Sequence, residues 1–166
     1  MSQEPLPPGM MFRSFLTVAS AFVLAYLGHI AITLGIGLNF YPVFAETFEA
    51  GHEALELAIA NNPEQLIPPS MFWSILGLTS LVCLAVGFYV IKTAPFSHFN
   101  HAIFAAVLLF VFHLQMAIED PPGKKSMTLF YMVVFPLALL VGAKWTVNRM
   151  IRKYDSEEEN PSELLS

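Results

Sequence analysis

Four long apolar stretches alternate with polar segments along the chain. They cover residues of about 14–37, 71–91, 99–118 and 127–147, and each is free or nearly free of charged side chains. A helix that crosses a membrane needs roughly 20 predominantly apolar residues. The pattern therefore predicts an all-α fold, an integral membrane four-helix bundle with a transmembrane domain over residues 14–147.

The connection between the first two spans has a helical pattern of its own. Pro42 suits the first turn of a helix, and Asn61-Asn62-Pro63 closes it. Apolar and acidic side chains occupy opposite faces, so we predict an extra amphipathic surface helix over about 42–60. The apolar face comprises Phe44, Phe48, Gly51, Leu55 and Ile59, and the acidic face comprises Glu46, Glu49, Glu53 and Glu56.

The composition agrees with lipid as the solvent of most of the chain. Hydrophobic residues make up 55% of the sequence and charged residues 13%, whereas a soluble domain carries about 25% charged residues. The net charge of −5 gives no basic face for nucleic acid. The single cysteine, Cys83, excludes an intramolecular disulfide. The expected partners are the lipid bilayer and other membrane proteins or further copies of the chain.

The positions of Lys and Arg predict the orientation. An even number of spans places both termini on one side, and cytoplasmic loops are enriched in basic residues. The terminal side would hold six of these residues and the opposite side two. Both termini are therefore expected in the cytoplasm. The six are Arg13, Lys92, Lys144, Arg149, Arg152 and Lys153, and the two are Lys124 and Lys125.

The segments outside the spans complete the predicted organisation. Residues 1–13 form a cytoplasmic N-terminal tail, and residues 148–166 form a polar cytoplasmic tail that is disordered at its end. The first apolar stretch is longer than the 7–15 residues typical of a signal-peptide core, so we expect a retained helix. A bacterial plasma membrane is the expected location.

Small residues at helical spacing predict where the spans meet, because close packing in lipid relies on small side chains and interhelical hydrogen bonds. Each of the first three spans has such a stripe. The stripes are Thr17, Ala21, Ala25, His29, Thr33 and Gly37 on the first span, Gly77, Ser80, Cys83 and Gly87 on the second, and Ala102, Ala105, Ala106 and His113 on the third.

Two histidines stand inside the apolar stretches at similar predicted depth. At 1.5 Å per residue, His29 lies about 22 Å and His113 about 20 Å from the cytoplasmic ends of their helices. Ser74 and Tyr131 lie at comparable depth on the two remaining spans. Polar residues inside membranes usually face the bundle interior and often mark function. The sequence thus allows a polar layer of these four side chains.

Four roles for this layer and its surroundings remain open at this point. The imidazoles can donate interhelical hydrogen bonds that lock the packing. They can instead be axial ligands of a b-type haem, since two neutral imidazoles on facing helices suit a haem iron. They can also carry protons or ions together with Glu119, in which case a four-span chain would need to oligomerise.

The remaining role is a metal site on the surface helix. Glu49 and His52 form a Glu-x-x-His step, and Glu56 follows His52 by one helical turn. Carboxylate and imidazole are the ligands of zinc and copper sites.

No catalytic motif is present among the P-loop, HExxH, GxGxxG and nucleophile-elbow patterns, and we predict that the chain is not an enzyme. The predicted function is a structural or accessory subunit of a membrane assembly. The alternatives are a small haem- or metal-binding membrane protein that uses His29 and His113, and proton or ion passage by an oligomer.

Overall fold

The structure is a computed structural model, and it describes residues 8–95, 98–120 and 122–159. The all-α fold is confirmed, since these ranges are helical almost throughout and contain no strand. In chain order the helices are α1 (Pro8–Phe40), α2 (Pro42–Glu49), α3 (His52–Asn61), α4 (Pro63–Leu66), α5 (Pro69–Thr93), α6 (His98–Glu119) and α7 (Pro122–Glu159).

Four of these helices are long and apolar enough to cross a membrane, as predicted. The candidate spans are Gly9–Phe40 in α1, Pro69–Thr93 in α5, His98–Glu119 in α6 and Lys124–Arg152 in α7. Each reverses the direction of the one before it, so α1 begins and α7 ends on the same side of the bundle, here called the terminus side. The short helices α2, α3 and α4 lie on the opposite side, here called the cap side. The chain is an integral membrane protein.

The two outer helices are longer than the apolar stretches that predict them. Helix α1 begins at Pro8, and α7 continues to Glu159. Proline is well suited to a first helical turn, and the Lys, Arg and Glu residues after the last apolar stretch favour helix. Parts of both predicted tails are therefore helical. Residues 1–7 and 160–166 lie outside the described residues, so disorder at the C-terminal end stays a prediction.

The predicted surface helix is wrong in one respect, because it is divided. Helix α2 ends at Glu49 and α3 begins at His52. Between them Gly51 has a φ of 103°, a backbone conformation that side chains larger than hydrogen rarely adopt. The amphipathic arrangement is nevertheless present in part, although Phe48 of the predicted apolar face is exposed. Phe44 is buried and Leu55 half-buried, whereas Glu46, Glu49, Glu53 and Glu56 are all exposed.

Helices α5 and α7 are in direct backbone contact in the bundle core. A Cβ atom on Gly87 would lie 2.2 Å from the carbonyl oxygen of Leu139. A Cβ atom on Gly142 would lie 2.1 Å from the carbonyl oxygen of Leu84. Both glycines therefore let one helix backbone rest directly on the other, as small residues do in membrane bundles.

The small-residue stripes of α1 and α6 face the bundle as predicted. Ala21, Ala25 and Ala105 are buried, as is His113. The stripe on α5 is wrong at one end, because Gly77 is exposed. The buried face of α5 follows an adjacent row, which comprises Ile75, Thr79, Cys83, Val86 and Gly87.

Candidate functional site

The two histidines inside the spans meet in the bundle. The ring centroids of His29 on α1 and His113 on α6 are 6.3 Å apart. His113 is 4% exposed, and His29 is half-buried on the face that α1 turns toward the bundle. The two rings, for which the sequence predicts a similar depth, are therefore neighbours across α1 and α6.

One nitrogen of each ring is already engaged. Nδ1 of His113 lies 2.7 Å from the carbonyl oxygen of Leu109, one helical turn earlier. A carbonyl oxygen only accepts, so Nδ1 carries the proton and donates. Nδ1 of His29 lies 3.3 Å from Oγ1 of Thr79 on α5, and the tautomer of the ring decides which atom donates. The Nε2 atoms of both rings remain for other partners.

Aromatic side chains of α7 fix the orientation of the two imidazoles. The ring of Tyr131 is centred 5.0 Å from His29 and is stacked on Phe135, also at 5.0 Å. Phe135 contacts both histidines, with centroid distances of 5.3 Å to His29 and 5.5 Å to His113. These rings form one continuous cluster, which restricts how far either imidazole can turn.

The predicted polar layer is correct for three of its four members. Tyr131 joins the histidines, but Ser74 does not, because it is exposed and donates to the carbonyl oxygen of Ser70 at 2.9 Å. Thr79 takes the expected place of Ser74 on α5. Five residues correspond to about 140° around a helix, so a serine at 74 faces outward when Thr79 faces inward.

A cavity of about 250 Å³ lies between the two imidazoles and the cap. Every helix of the bundle and the cap contributes to its wall. Phe44 and Phe48 of α2 with Leu55 and Ile59 of α3 form its roof, and His29, His113 and Tyr131 form its floor. We call this space the cap-side cavity. Apolar side chains make up most of its wall, with a small number of polar groups among them.

Several of those polar groups lack a hydrogen-bond partner among the described residues. Oγ1 of Thr33 is fully enclosed and unpartnered. The hydroxyl of Tyr131, a residue that is 9% exposed, makes no hydrogen bond to any described residue. Nε2 of His113 is likewise unbonded and is not fully enclosed. Since His113 is buried and lines the cavity, its remaining exposed surface faces the cavity.

An ion pair stands at the cap-side rim of the cavity. Nζ of Lys124 lies 3.0 Å from Oδ1 of Asp120, whose side chain is 8% exposed. Oγ1 of Thr128 donates to the second carboxylate oxygen of the same aspartate. The carboxylate is therefore held by both a charged and a neutral donor, and Lys124, although it lines the cavity, is already paired.

The seam between α1 and α6 forms the cavity wall nearest the lipid. Tyr26 and Ile30 on α1 with Phe112 and Met116 on α6 all line the cavity and are all half-buried. The rings of Tyr26 and Phe112 contact each other edge-to-face at 5.0 Å. These four side chains therefore reach both the cavity and the outer surface of the bundle.

A b-type haem does not fit between His29 and His113 in this packing. Iron bound by both imidazoles would lie near the midpoint of their ring centroids. Phe135 is nearly equidistant from the two rings, and the three centroid distances place it about 4.4 Å from that midpoint. The phenyl ring therefore occupies the plane and the distance at which the rim of a porphyrin would lie.

The predicted metal residues of the cap are only partly brought together. Nε2 of His52 lies 3.1 Å from Oε1 of Glu56, with both side chains largely exposed. Glu49 ends α2, and the break at Gly51 separates it from His52. Within the described part of the chain, no group of three or more His, Cys, Asp or Glu side chains is placed to hold a metal ion.

The predicted proton relay is not continuous along α6. Glu119 is exposed and accepts from Nε2 of Gln115 at 3.5 Å. Six residues from His113 correspond to about 240° around the helix, so the carboxylate and the imidazole face different sides.

Sequence reasoning assigned no role in the site to Thr33, Thr79 or Asp120. Thr33 follows His29 by one helical turn on the same stripe, and that spacing was a usable signal. The meeting of Asp120 with Thr128 depends on how tightly the chain turns between α6 and α7, for which the sequence offers only turn residues. No protein-family model, curated protein or solved structure matches this chain.

Proposed function

We propose that the chain is a membrane-embedded binding protein for a small lipophilic molecule, which it holds in the cap-side cavity. One observation carries the proposal: Nε2 of His113 and the hydroxyl of Tyr131, which make no hydrogen bond to any described residue, belong to side chains that line an otherwise apolar cavity. Binding sites for small molecules are apolar clefts with a few polar groups that fix orientation.

The free energy of these polar groups favours a ligand. A buried donor or acceptor without a partner costs about 1–3 kcal/mol. The bundle satisfies other hydroxyls locally, as in the bond from Ser80 to the carbonyl oxygen of Leu76. A ligand with its own polar group would supply hydrogen bonds to Nε2 of His113 and to the hydroxyl of Tyr131, while its apolar part replaces contact with lipid or water.

The lipid bilayer is the source of such a molecule in this proposal. The half-buried side chains of the α1–α6 seam separate the cavity from the surrounding acyl chains. A lipophilic molecule dissolved in the membrane would reach the cavity by moving Met116 and Phe112 aside. Entry from the aqueous phase at the cap side would instead require the roof residues Phe44 and Phe48 to separate from the bundle.

The proposed orientation places both termini in the cytoplasm and the cap outside. Six Lys and Arg residues at the terminus side against two at the cap side support it. A bacterial plasma membrane suits this arrangement. A structural or accessory role in a larger assembly is compatible with ligand binding, and the exposed carboxylates of the cap would then be available to a partner.

Binding of 1-methylnaphthalene to the purified protein in lipid nanodiscs tests the proposal. Equilibrium dialysis should show saturable binding to wild type, close to one molecule per chain. Ile30→Trp places an indole in the cavity wall and should abolish the saturable part. Leu81→Trp adds the same group to a side chain that is 62% exposed on α5 and should leave binding unchanged.

Two results would contradict the proposal. One is uptake by wild type that does not saturate, as expected for partition into lipid alone. The other is equal loss of binding in Ile30→Trp and Leu81→Trp, which would place the binding outside the cavity. The same preparations also test the haem prediction, since a Soret absorption band that disappears in His29→Ala and His113→Ala would restore it.

A further inference from the structure

The wall of the cap-side cavity is unusually rich in aromatic rings. Tyr26 and Phe112 stand on the lipid side, Phe44 and Phe48 on the roof, and Tyr131 on the floor. Phe44 and Phe48 are nearly parallel to each other, with an interplanar angle of 11°. Aromatic rings attract other rings in offset or edge-to-face arrangements. Rings on three sides therefore favour a flat aromatic molecule over a branched aliphatic one.

The volume of the cavity bounds the size of that molecule. The cavity measures about 250 Å³, whereas an engineered cavity of about 150 Å³ accommodates a single benzene ring. A molecule of one or two fused rings therefore fits this volume.

The hydrogen-bonding direction of His113 selects the polar group of the ligand. Its Nδ1 proton is donated to the carbonyl oxygen of Leu109 at 2.7 Å. In the neutral ring the other nitrogen, Nε2, is therefore an acceptor. The matching ligand group must carry a proton to donate, which excludes ethers and ketones as the best partner for this atom.

A second group on the cavity floor can donate to the same ligand. The hydroxyl of Tyr131 is without a partner among the described residues and belongs to a side chain that is 9% exposed. A hydroxyl on the ligand can donate to Nε2 of His113 and accept from Tyr131 at once. A carboxylate is a poorer match, because Lys124 is already paired with Asp120.

We infer that the cap-side cavity binds a flat aromatic alcohol of one or two fused rings, whose hydroxyl donates to Nε2 of His113 and accepts from the hydroxyl of Tyr131. This inference rests on the proposed function and specifies its ligand class. The aromatic body lies among Tyr26, Phe44 and Phe112, and the hydroxyl points to the floor.

Two probes, one with a hydroxyl and one with a methyl ether at the same ring position, test the inference on the wild-type protein. 1-Naphthol can donate and accept, whereas the oxygen of 1-methoxynaphthalene only accepts. A single hydrogen bond of this kind should make 1-naphthol bind about three- to ten-fold more tightly. Both affinities are measured by equilibrium dialysis in lipid nanodiscs. Uptake by nanodiscs that contain the Ile30→Trp protein measures the partition of each probe into lipid, and this background is subtracted.

Two variants then assign the bond to its residue. His113→Phe should lower the affinity for 1-naphthol by about three- to ten-fold and leave that for 1-methoxynaphthalene unchanged. Tyr131→Phe should lower both affinities, since both oxygens accept. His52→Phe is the matched control, because His52 is exposed on α3 and bonded to Glu56, away from the cavity. It should change neither affinity.

The outcomes separate the inference from the proposed function. If both probes bind wild type in a saturable way with equal affinity, the inference is wrong and the binding function stands. If neither binds, the binding function fails as well. The comparison of the two probes on the wild-type protein tests the inference even if His113→Phe does not fold. If folded His113→Phe still binds 1-naphthol more tightly than 1-methoxynaphthalene, the ligand hydroxyl donates to a different acceptor. That result would overturn the role of His113.

Discussion

Adding one methyl group at Gly87 should destabilise the bundle strongly. In Gly87→Ala the new Cβ would lie 2.2 Å from the carbonyl oxygen of Leu139 and 2.7 Å from the amide nitrogen of Ala143. Ordinary contact begins near 3.4 Å. Both neighbours are backbone atoms, which cannot rotate away, so α5 and α7 would have to separate by about 1.2 Å at this point, the difference between the contact distance and 2.2 Å.

That separation would loosen the direct backbone contact between α5 and α7. Overpacking a well-packed interior costs about 1–3 kcal/mol, and we expect the upper end because no flexible side chain can absorb the displacement. Gly77→Ala is the matched control on the same helix, since a Cβ at Gly77 meets nothing within 4 Å. Alanine favours helix over glycine by about 0.8–1.0 kcal/mol, so this control should be neutral or stabilising.

Reversible unfolding in mixed micelles, followed by circular dichroism as the fraction of sodium dodecyl sulfate rises, measures both variants. Gly87→Ala should unfold at a clearly lower fraction than wild type and Gly77→Ala at an equal or higher one. Equal stability of Gly87→Ala and wild type would refute the direct contact between the α5 and α7 backbones. A loss in Gly77→Ala as large as that in Gly87→Ala would indicate that both substitutions act through the helix itself.

Three further substitutions have expected outcomes in the same unfolding assay. Thr33→Val removes an enclosed hydroxyl that has no partner among the described residues and should stabilise the ligand-free protein by about 1 kcal/mol, so a loss of stability would contradict the unpartnered state. Gly51→Ala forces a side chain onto a φ of 103° and should cost about 1–3 kcal/mol; no change would show that the cap does not contribute to stability. Asp120→Asn removes the charge that Lys124 and Thr128 contact and should cost about 1.5–3 kcal/mol, whereas an unchanged midpoint would mean that this ion pair is fully solvated.

The architecture was predictable because lipid imposes a simple requirement on the sequence. Backbone polar groups in a membrane must bond internally, so long apolar stretches form helices. Their number and order, and the side of α1 and α6 that faces the bundle, follow from length and small-residue spacing. The similar depth of His29 and His113 followed from counting 1.5 Å per residue along two helices that enter from one side. Their meeting also required that both lie on the small-residue faces of α1 and α6.

The features that could not be predicted depend on how each helix is rotated about its own axis and on the local backbone conformation. A small angular error separates a buried Thr79 from an exposed Ser74, because depth along a helix says nothing about which face a residue occupies. Gly51 was assigned to the apolar face of one helix, although a glycine between two acidic segments also permits a break. The cavity arises from how seven helices pack together, and no single stretch of sequence contains that information.

The pattern of satisfied and unsatisfied hydroxyls is the strongest argument for a ligand. In α1, Oγ1 of Thr17 donates to the carbonyl oxygen of Arg13 one turn earlier, at 3.0 Å. Thr146 in α7 does the same with Gly142. The same local bond is open in principle to Thr33, yet its hydroxyl has no partner among the described residues and is enclosed behind the cavity wall. A purely structural role for the polar layer would favour the local bond at every position. A site that binds a hydroxyl-bearing molecule instead requires that some groups remain available to it, and here the hydroxyl of Tyr131, which has no partner among the described residues, shares one cavity with an acceptor nitrogen of fixed direction.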